Sequence, residues 1–139
     1  MLLLLACSPG PKVLRAEEVG VVGQSDTING RDGGGSASVF GRSVWTYGDT
    51  TLTVEDEDGR TWHQNSVSWL ESPEPGTLPE GFEEPADSVG APAHLLPPSD
   101  EEWAFNDAHW DDGDCEEPCG ARLAVWPGTP IWDEANARA

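Results

Sequence analysis

The stretch at 61–121 contains no Lys or Arg, and this feature most restricts how the chain can fold. From residue 71 onward the stretch carries 15 acidic residues and eight prolines. Because proline lacks a backbone donor and interrupts helix interiors and central strands, regular structure is not expected through most of it. Trp103, Phe105 and Trp110 are too apolar for a fully solvated linker. We therefore predict a long, ordered, acidic and proline-rich loop insertion at 71–120, lying over the rest of the fold.

The whole chain is strongly acidic, with 26 Asp and Glu against seven Lys and Arg, and a formal net charge of −19. This charge excludes a nucleic-acid-binding protein that works by neutralising phosphates, and it argues against membrane attachment through basic residues. Leu, Ile, Val and Phe make up only 26 of 139 residues, which for this charge indicates disorder. Seven tryptophans oppose that interpretation, so we predict a small β-rich core with acidic loops.

The densest strand signal lies at 37–70, in runs rich in Val, Thr, Trp and Tyr. Alternation of side chains along a strand places Val44 and Thr46 on one face and Trp45 and Tyr47 on the other. The pattern predicts an all-β fold.

Turn signals divide this strand-rich region further. Asp58-Gly59 predicts a hairpin turn, and Val67 and Trp69 share a face of the strand that follows. Residues 121–132 return to a strand pattern, and the sequence DEANARA after them predicts another turn. We therefore expect consecutive antiparallel strands arranged as a meander.

Residues 1–7 read MLLLLAC and resemble a bacterial lipobox, in which the thiol of Cys7 becomes lipidated. A secretory signal also has a basic segment and a longer apolar run, so we expect this lipoprotein signal peptide to be clipped at its front. A flexible tether at 8–18 would then lead into a domain at 19–139. The alternative is an ordinary N-terminus with a free cysteine.

Cys115 and Cys119 lie in the sequence CEEPC, inside a proline-containing loop. In an exported protein such a pair predicts a small disulfide, and free thiols are the alternative. A zinc site is a further alternative, but it needs four ligands, and only His109 and carboxylates lie near the pair in sequence.

The sequence NGRDGGGSASVFGRSVWTYGDTTL, which starts at residue 29, is followed by HQNS at 63–66. Together they resemble the first blade of secreted bacterial five-bladed β-propellers of a domain-of-unknown-function type, related to family 43-like glycoside hydrolases. The resemblance covers 19–139 and implies that this chain forms the first one to two blades of a propeller. Five blades exceed about 200 residues, so we expect a truncated propeller from a longer protein or from a truncated gene product.

The resemblance also implies candidate site residues. Asp32, in the GRDG loop, matches the position of a first-blade catalytic carboxylate, and the alternative is an aspartate that caps its own loop. Arg31 is expected to pair with Asp32 or Asp49. Arg31, Asp49, His63 and Asn65 are candidate substrate-binding residues, although Asp49 could instead close a turn and His63 could be a packed or surface histidine.

No metal site or cofactor is assigned from the sequence. The acidic run at 54–59 fails the EF-hand pattern because Val54 occupies the first ligand position. Walker, Rossmann and GxSxG motifs are absent from the sequence. Trp45 and Trp62 could stack on a sugar ring, and core packing is the alternative for either of them.

These observations predict an exported bacterial lipoprotein of the cell envelope, anchored to a membrane (the outer membrane being favoured) through its N-terminal lipid, or else secreted. Its expected partners are a carbohydrate and, through the anchor, a membrane, with no nucleic acid. The role would be glycoside hydrolase-like or glycan-binding. The alternatives are a non-catalytic cell-surface interaction lipoprotein and a truncated, non-functional fragment.

Overall fold

A computed structural model describes residues 15–16, 25–71, 81–111 and 113–139 of the chain. The predicted signal peptide at 1–7, with Cys7, and most of the tether at 8–18 lie outside the described residues. Within the described ranges the chain forms six strands and one helix. Their bounds are β1 Ile28–Arg31, β2 Gly35–Val39, β3 Arg42–Tyr47, β4 Thr50–Leu52, β5 Trp62–His63, β6 Ser66–Glu71 and α1 Asp100–Ala108. In this part of the chain no helix is long and apolar enough to cross a membrane.

The strands form two antiparallel three-stranded sheets, in the orders β1-β4-β5 and β2-β3-β6. The predicted β-rich, antiparallel fold is thus confirmed. The strands do not follow one another as a single meander, because the chain leaves one sheet after β1 and returns to it at β4. The two sheets are joined by a buried hydrogen bond of 2.7 Å between the hydroxyls of Thr50 in β4 and Ser66 in β6. The described residues form no closed sheet.

Two hairpins bring neighbouring strands together. Phe40 and Gly41, with φ of 52° and 77°, connect β2 to β3, and this left-handed backbone matches the twist of a two-residue hairpin loop. Between β4 and β5 the predicted turn at Asp58-Gly59 is confirmed, because the backbone N–H of Gly59 donates to the carbonyl of Asp56 at 3.0 Å. Gly59 has a φ of 78°, a conformation that favours glycine.

The predicted alternation in β3 and β6 is confirmed by the strand register. Thr46 lies opposite Val67, and Val44 lies opposite Trp69, so these four side chains share one face. On the other face the hydroxyl of Tyr47 hydrogen-bonds to Ser68 at 2.9 Å. The apolar core around the two sheets is small; its buried members are Ile28, Val39, Tyr47, Leu52, Val67, Leu70 and Ala91.

The described part of the predicted insertion is ordered and packs against the sheets, with Phe82 against Trp45 of β3 and a bridge between Glu83 and Trp69 of β6. A helix was not expected through most of the insertion, yet α1 forms at Asp100–Ala108, between the prolines at 98 and 118. Ser99 caps the helix: its hydroxyl accepts from the backbone of Glu102, whose side chain accepts from the backbone of Ser99. The capping box and the acidic first turn account for a helix in this acidic segment.

The strands predicted at 121–132 do not form, and this prediction is wrong. The segment is extended, but buried side chains rather than a neighbouring strand satisfy its backbone. Asn106 accepts from the N–H of Leu123 and donates to its carbonyl, and Gln64 accepts from the N–H of Val125 at 2.7 Å. The turn predicted after this segment is confirmed by a bridge between Asp133 and Arg138.

Candidate functional site

Asp32 and Asp49 are neighbours where β1 ends and β4 begins, close enough for the charge of Asp32 to act on the carboxyl group of Asp49. The backbone N–H of Asp32 donates to the carbonyl of Asp49 at 3.0 Å, and the N–H of Gly48 donates to the carbonyl of Asp32 at 2.9 Å. A Cβ at Gly48 would lie 2.7 Å from Oδ1 of Asp32, so a larger residue there would displace this carboxylate from its observed position. The sequence predicted these two residues as site candidates, and the fold brings them together.

The surroundings of Asp49 change the pKa of its carboxyl group. Burial raises its pKa, a hydrogen bond of 3.0 Å from the indole N–H of Trp126 lowers it, and the nearby charge of Asp32 raises it again. The net direction is upward. A carboxyl group with a raised pKa beside a second carboxyl group is an arrangement that can support acid–base chemistry.

Arg31 does not pair with Asp32 or Asp49 as predicted. Its guanidinium forms an ion pair of 2.5 Å with Glu84 from the insertion and lies 4.3 Å over the ring of Tyr47. Both partners of the ion pair are nearly buried. Arg31 therefore links the insertion to the sheets and does not pair with either aspartate.

Asn65 is completely buried and has a structural role. Its side-chain amide donates to the carbonyls of Leu96 and Val125, and its oxygen accepts from the N–H of Leu96. All of its hydrogen-bonding groups are thus used within the protein. His63 is also buried, and its Nε2 lies 2.8 Å from Oδ2 of Asp56. Neither residue shares a hydrogen bond with Asp32 or Asp49 in the described structure.

Three tryptophans meet in an open cleft of about 220 Å³. Trp62 belongs to β5, Trp103 belongs to α1, and Trp110 follows the helix. The rings of Trp62 and Trp110 are 6.5 Å apart at an angle of 56°, and Trp110 is 40% exposed. The residues lining the cleft, which we call the tryptophan cleft, are Gly59, Arg60, Thr61, Trp62, Trp103, Asp107 and Trp110.

Charged groups hold two of these rings in place. Arg60 stacks 3.8 Å over Trp103 and forms two hydrogen bonds, of 2.5 and 3.0 Å, with the carboxylate of Asp107. The hydrogen bonds from Arg60 lower the pKa of Asp107, so this carboxylate stays ionised at neutral pH. Arg122 stacks 3.9 Å over Trp110 and donates to the carbonyl of His109.

Cys115 and Cys119 form the predicted disulfide, with an S–S distance of 2.02 Å. The loop that they close is attached to the end of α1: the N–H of Glu116 donates to the carbonyl of Ala108, and Nδ1 of His109 contacts the carbonyl of Glu116 at 2.7 Å. The disulfide thus supports the turn on which Trp110 is carried.

Of the two tryptophans predicted to meet a sugar, Trp62 lines the cleft, whereas Trp45 packs against Phe82, with its indole N–H donating to Ser43. Trp103 and Trp110 were recognised in the sequence only as too apolar for a solvated linker. No sequence pattern predicts that Trp103 and Trp110 lie beside Trp62, because the cleft forms only when the insertion folds back onto β5.

Comparisons with protein-family models, with curated proteins and with solved structures found no match to this chain.

Proposed function

We propose that this protein binds a glycan in the tryptophan cleft. The observation that carries the proposal is the convergence of Trp62, Trp103 and Trp110 beside an ionised, arginine-held carboxylate. A sugar ring presents C–H groups that pack on aromatic faces, and its hydroxyls donate to carboxylates and accept from guanidinium groups. Ligand sites of this kind combine apolar walls with a few oriented polar groups.

The cleft is prepared for binding before a ligand arrives. Arg60 and Arg122 each stack on a tryptophan, and their own hydrogen bonds fix both guanidinium groups. A ligand would therefore order few side chains on binding, and this lowers the entropic cost of a weak, surface-exposed site.

The proposal is tested by titrating the protein with arabino- and xylo-oligosaccharides in a calorimeter. Trp110→Ala removes the most exposed aromatic wall and should weaken binding roughly tenfold or more. Trp132→Ala is the matched control, because Trp132 packs against Phe40 of the hairpin and does not line the cleft. Equal affinities of the wild type and the Trp110 variant for every bound sugar would contradict the proposal.

A second candidate function, glycoside hydrolysis, is favoured by the carboxylate pair. Asp49, with its raised pKa, would be the acid, and Asp32 would be the base or nucleophile. Aryl furanosides and pyranosides are the substrates to screen. Asp32→Asn and Asp49→Asn should each abolish turnover, whereas Asp26→Asn, at an exposed turn, should leave it unchanged. Turnover that survives in both site variants would remove this pair from any mechanism.

For the cellular setting we propose an exported lipoprotein in which Cys7 carries the lipid and the two sheets belong to the first blades of a propeller. The disulfide favours an oxidising compartment, although only weakly. Labelling of cells with an alkyne fatty acid should mark the wild-type protein and leave Cys7→Ser unmarked. Labelling of both proteins, or of neither, would contradict the anchor.

A further inference from the structure

Asp56, His63 and His94 form a second cluster, on the opposite side of β5 from Trp62. Asp56 comes from the turn before β5, His63 from β5 itself and His94 from the insertion. Each offers one ligand atom, and the three atoms lie within 4.8 Å of one another. The imidazole rings of the two histidines face each other with centroids 4.0 Å apart.

Asp56 is oriented by its backbone neighbours. Its Oδ1 accepts from the N–H of Arg60 at 2.7 Å and from that of Asp58 at 3.0 Å, which leaves Oδ2 directed at His63. Burial opposes ionisation of Asp56, but these backbone hydrogen bonds and the contact with His63 outweigh it and lower the pKa. The carboxylate is therefore a fixed anion with one oxygen available to the cluster.

The histidines carry buried nitrogen atoms that the protein does not satisfy. Both ring nitrogens of His94 and the Nδ1 of His63 are inaccessible to solvent and have no hydrogen-bond partner among the described residues. Leaving buried polar atoms unpaired costs free energy, so each such atom calls for an explanation. A bound cation would use the lone pair of one ring nitrogen of His94.

The surroundings suit a cation. The cluster opens into a cavity of about 250 Å³, which the acidic side chains of Glu57, Asp58 and Asp87 also line. The cavity leaves space beside the three ligands for a water molecule or a small anion.

We propose that Asp56, His63 and His94 bind a divalent first-row transition-metal ion, for which Zn²⁺ is the probe, with one coordination position open to the cavity. Two imidazoles and one carboxylate suit such ions, whereas Ca²⁺ and Mg²⁺ prefer oxygen ligands throughout. Atoms bound to one zinc ion lie about 3.4 Å apart, so the ligand atoms would have to move closer together and the two stacked imidazoles would have to turn toward a common point. The ion would take the place of the contact between Nε2 of His63 and Oδ2 of Asp56, and the single proton of the neutral His63 imidazole would then lie on Nδ1.

The test uses the full chain with its disulfide intact, in a Cys7→Ser background so that the free thiol cannot bind zinc. After chelator treatment, Zn²⁺ is titrated against a chromophoric chelator with millimolar Mg²⁺ present to occupy the many surface carboxylates. We expect one equivalent of Zn²⁺ bound. His94→Gln and Asp56→Asn should each weaken binding on the order of 100-fold or more, since even loss of an outer-shell group costs 10- to 100-fold.

The chain contains three histidines, so His109 provides the matched control. His109→Asn keeps a donor for the carbonyl of Glu116 and should bind zinc as the wild type does. Equal affinity of the wild type and His94→Gln would overturn the proposal, as would a wild-type protein with no zinc bound above the Mg²⁺ background.

A second measurement needs no variant of the cluster, so it stands even if the substitutions unfold the protein. In nitrogen NMR spectra of the wild-type protein, Zn²⁺ should shift the ring nitrogens of His63 and His94 and leave those of His109 unchanged. Shifts at His109 alone, or at none of the three, would overturn the proposal. The sugar titrations of the tryptophan cleft are performed in chelator, so a failure of either site leaves the other to be judged separately.

Discussion

The strand region at 28–71 and the loop-and-helix region at 81–126 are stabilised in different ways. In the strand region backbone groups pair with one another across two sheets. In the loop-and-helix region, side chains satisfy much of the backbone, and two of these side chains, the buried Gln64 and Asn65, are supplied by the strand region. The comparison shows how an acidic chain with few aliphatic residues can hold an irregular segment in place. Buried amide side chains make the hydrogen bonds to its backbone that a neighbouring strand would otherwise make.

Basic residues are also distributed unevenly between the strand region and the loop-and-helix region. Residues 61–121 contain no cation, so the ion pairs of Glu84 and Asp107 use Arg31 and Arg60, which precede that stretch. The two regions are therefore interdependent, and substitutions at their contacts should affect stability more than substitutions within either region.

The largest effect is expected from Asn65→Ala. The change leaves the backbone groups of Leu96 and Val125 buried without their partner, which should lower the free energy of unfolding by about 3 to 4 kcal/mol. Urea unfolding followed by tryptophan fluorescence measures it. Asn136→Ala, in the exposed terminal turn, is the control and should cost less than about 0.5 kcal/mol. If both variants unfold at the same urea concentration, Asn65 does not anchor the insertion.

Arg31→Met should come next, with a loss of about 3 kcal/mol, because it leaves the nearly buried carboxylate of Glu84 without a cation. Adding Glu84→Gln to this variant removes the uncompensated charge and should restore at least half of the lost stability. A double-mutant cycle in urea gives both values. Strict additivity of the two substitutions would show that the ion pair does not connect the regions.

A smaller effect is expected from pH, in the metal-free protein. Because burial holds the pKa of His94 near 4, below its ordinary 6.5, the unfolded chain binds more protons between these values. Stability is therefore complete above pH 6.5 and declines as the pH falls toward 4. The melting temperature should drop by a few degrees between pH 7 and pH 5, and His94→Gln should reduce this drop. An unchanged melting temperature in the wild type over that interval would be inconsistent with a buried neutral His94.

The smallest effect is expected within the strand region itself. Arg42 and Glu71 form an ion pair of 3.1 Å between β3 and β6, with side chains 47% and 76% exposed. Water screens such a pair, so the coupling energy from a double-mutant cycle should be below about 0.5 kcal/mol. A coupling above about 1 kcal/mol would mean that pairs within the sheets matter as much as the contacts between regions.

Several features could be predicted from the sequence because they depend on near neighbours. The alternation of β3 and β6, the turn at Asp58-Gly59 and the disulfide all follow from local patterns that need no distant partner. The pairing of β1 with β4 could not be predicted, because the same six strands can be divided between two sheets in more than one way. Local patterns do not say which division the chain adopts. The strand prediction for 121–132 was wrong because the same residue pattern also suits an extended segment. The backbone of that segment is hydrogen-bonded by amide side chains and not by another strand.

The sites show the same limit. Asp32 and Asp49 could be named from the GRDG and GDT sequences, whereas the metal-ligand cluster could not, because Asp56, His63 and His94 match no ligand spacing. Likewise Arg31 was expected to pair with a nearby aspartate, but its partner Glu84 lies 53 residues away.

The sequence by itself determined that this is an acidic, tryptophan-containing, antiparallel β protein with a cystine loop, because composition and near-neighbour pattern act locally. The tertiary structure alone decided what the insertion does. By folding back onto β5 it places Trp103 and Trp110 beside Trp62, and it places His94 on His63. Successive residues of a strand face opposite ways, so two adjacent residues, Trp62 and His63, take part in two separate candidate sites.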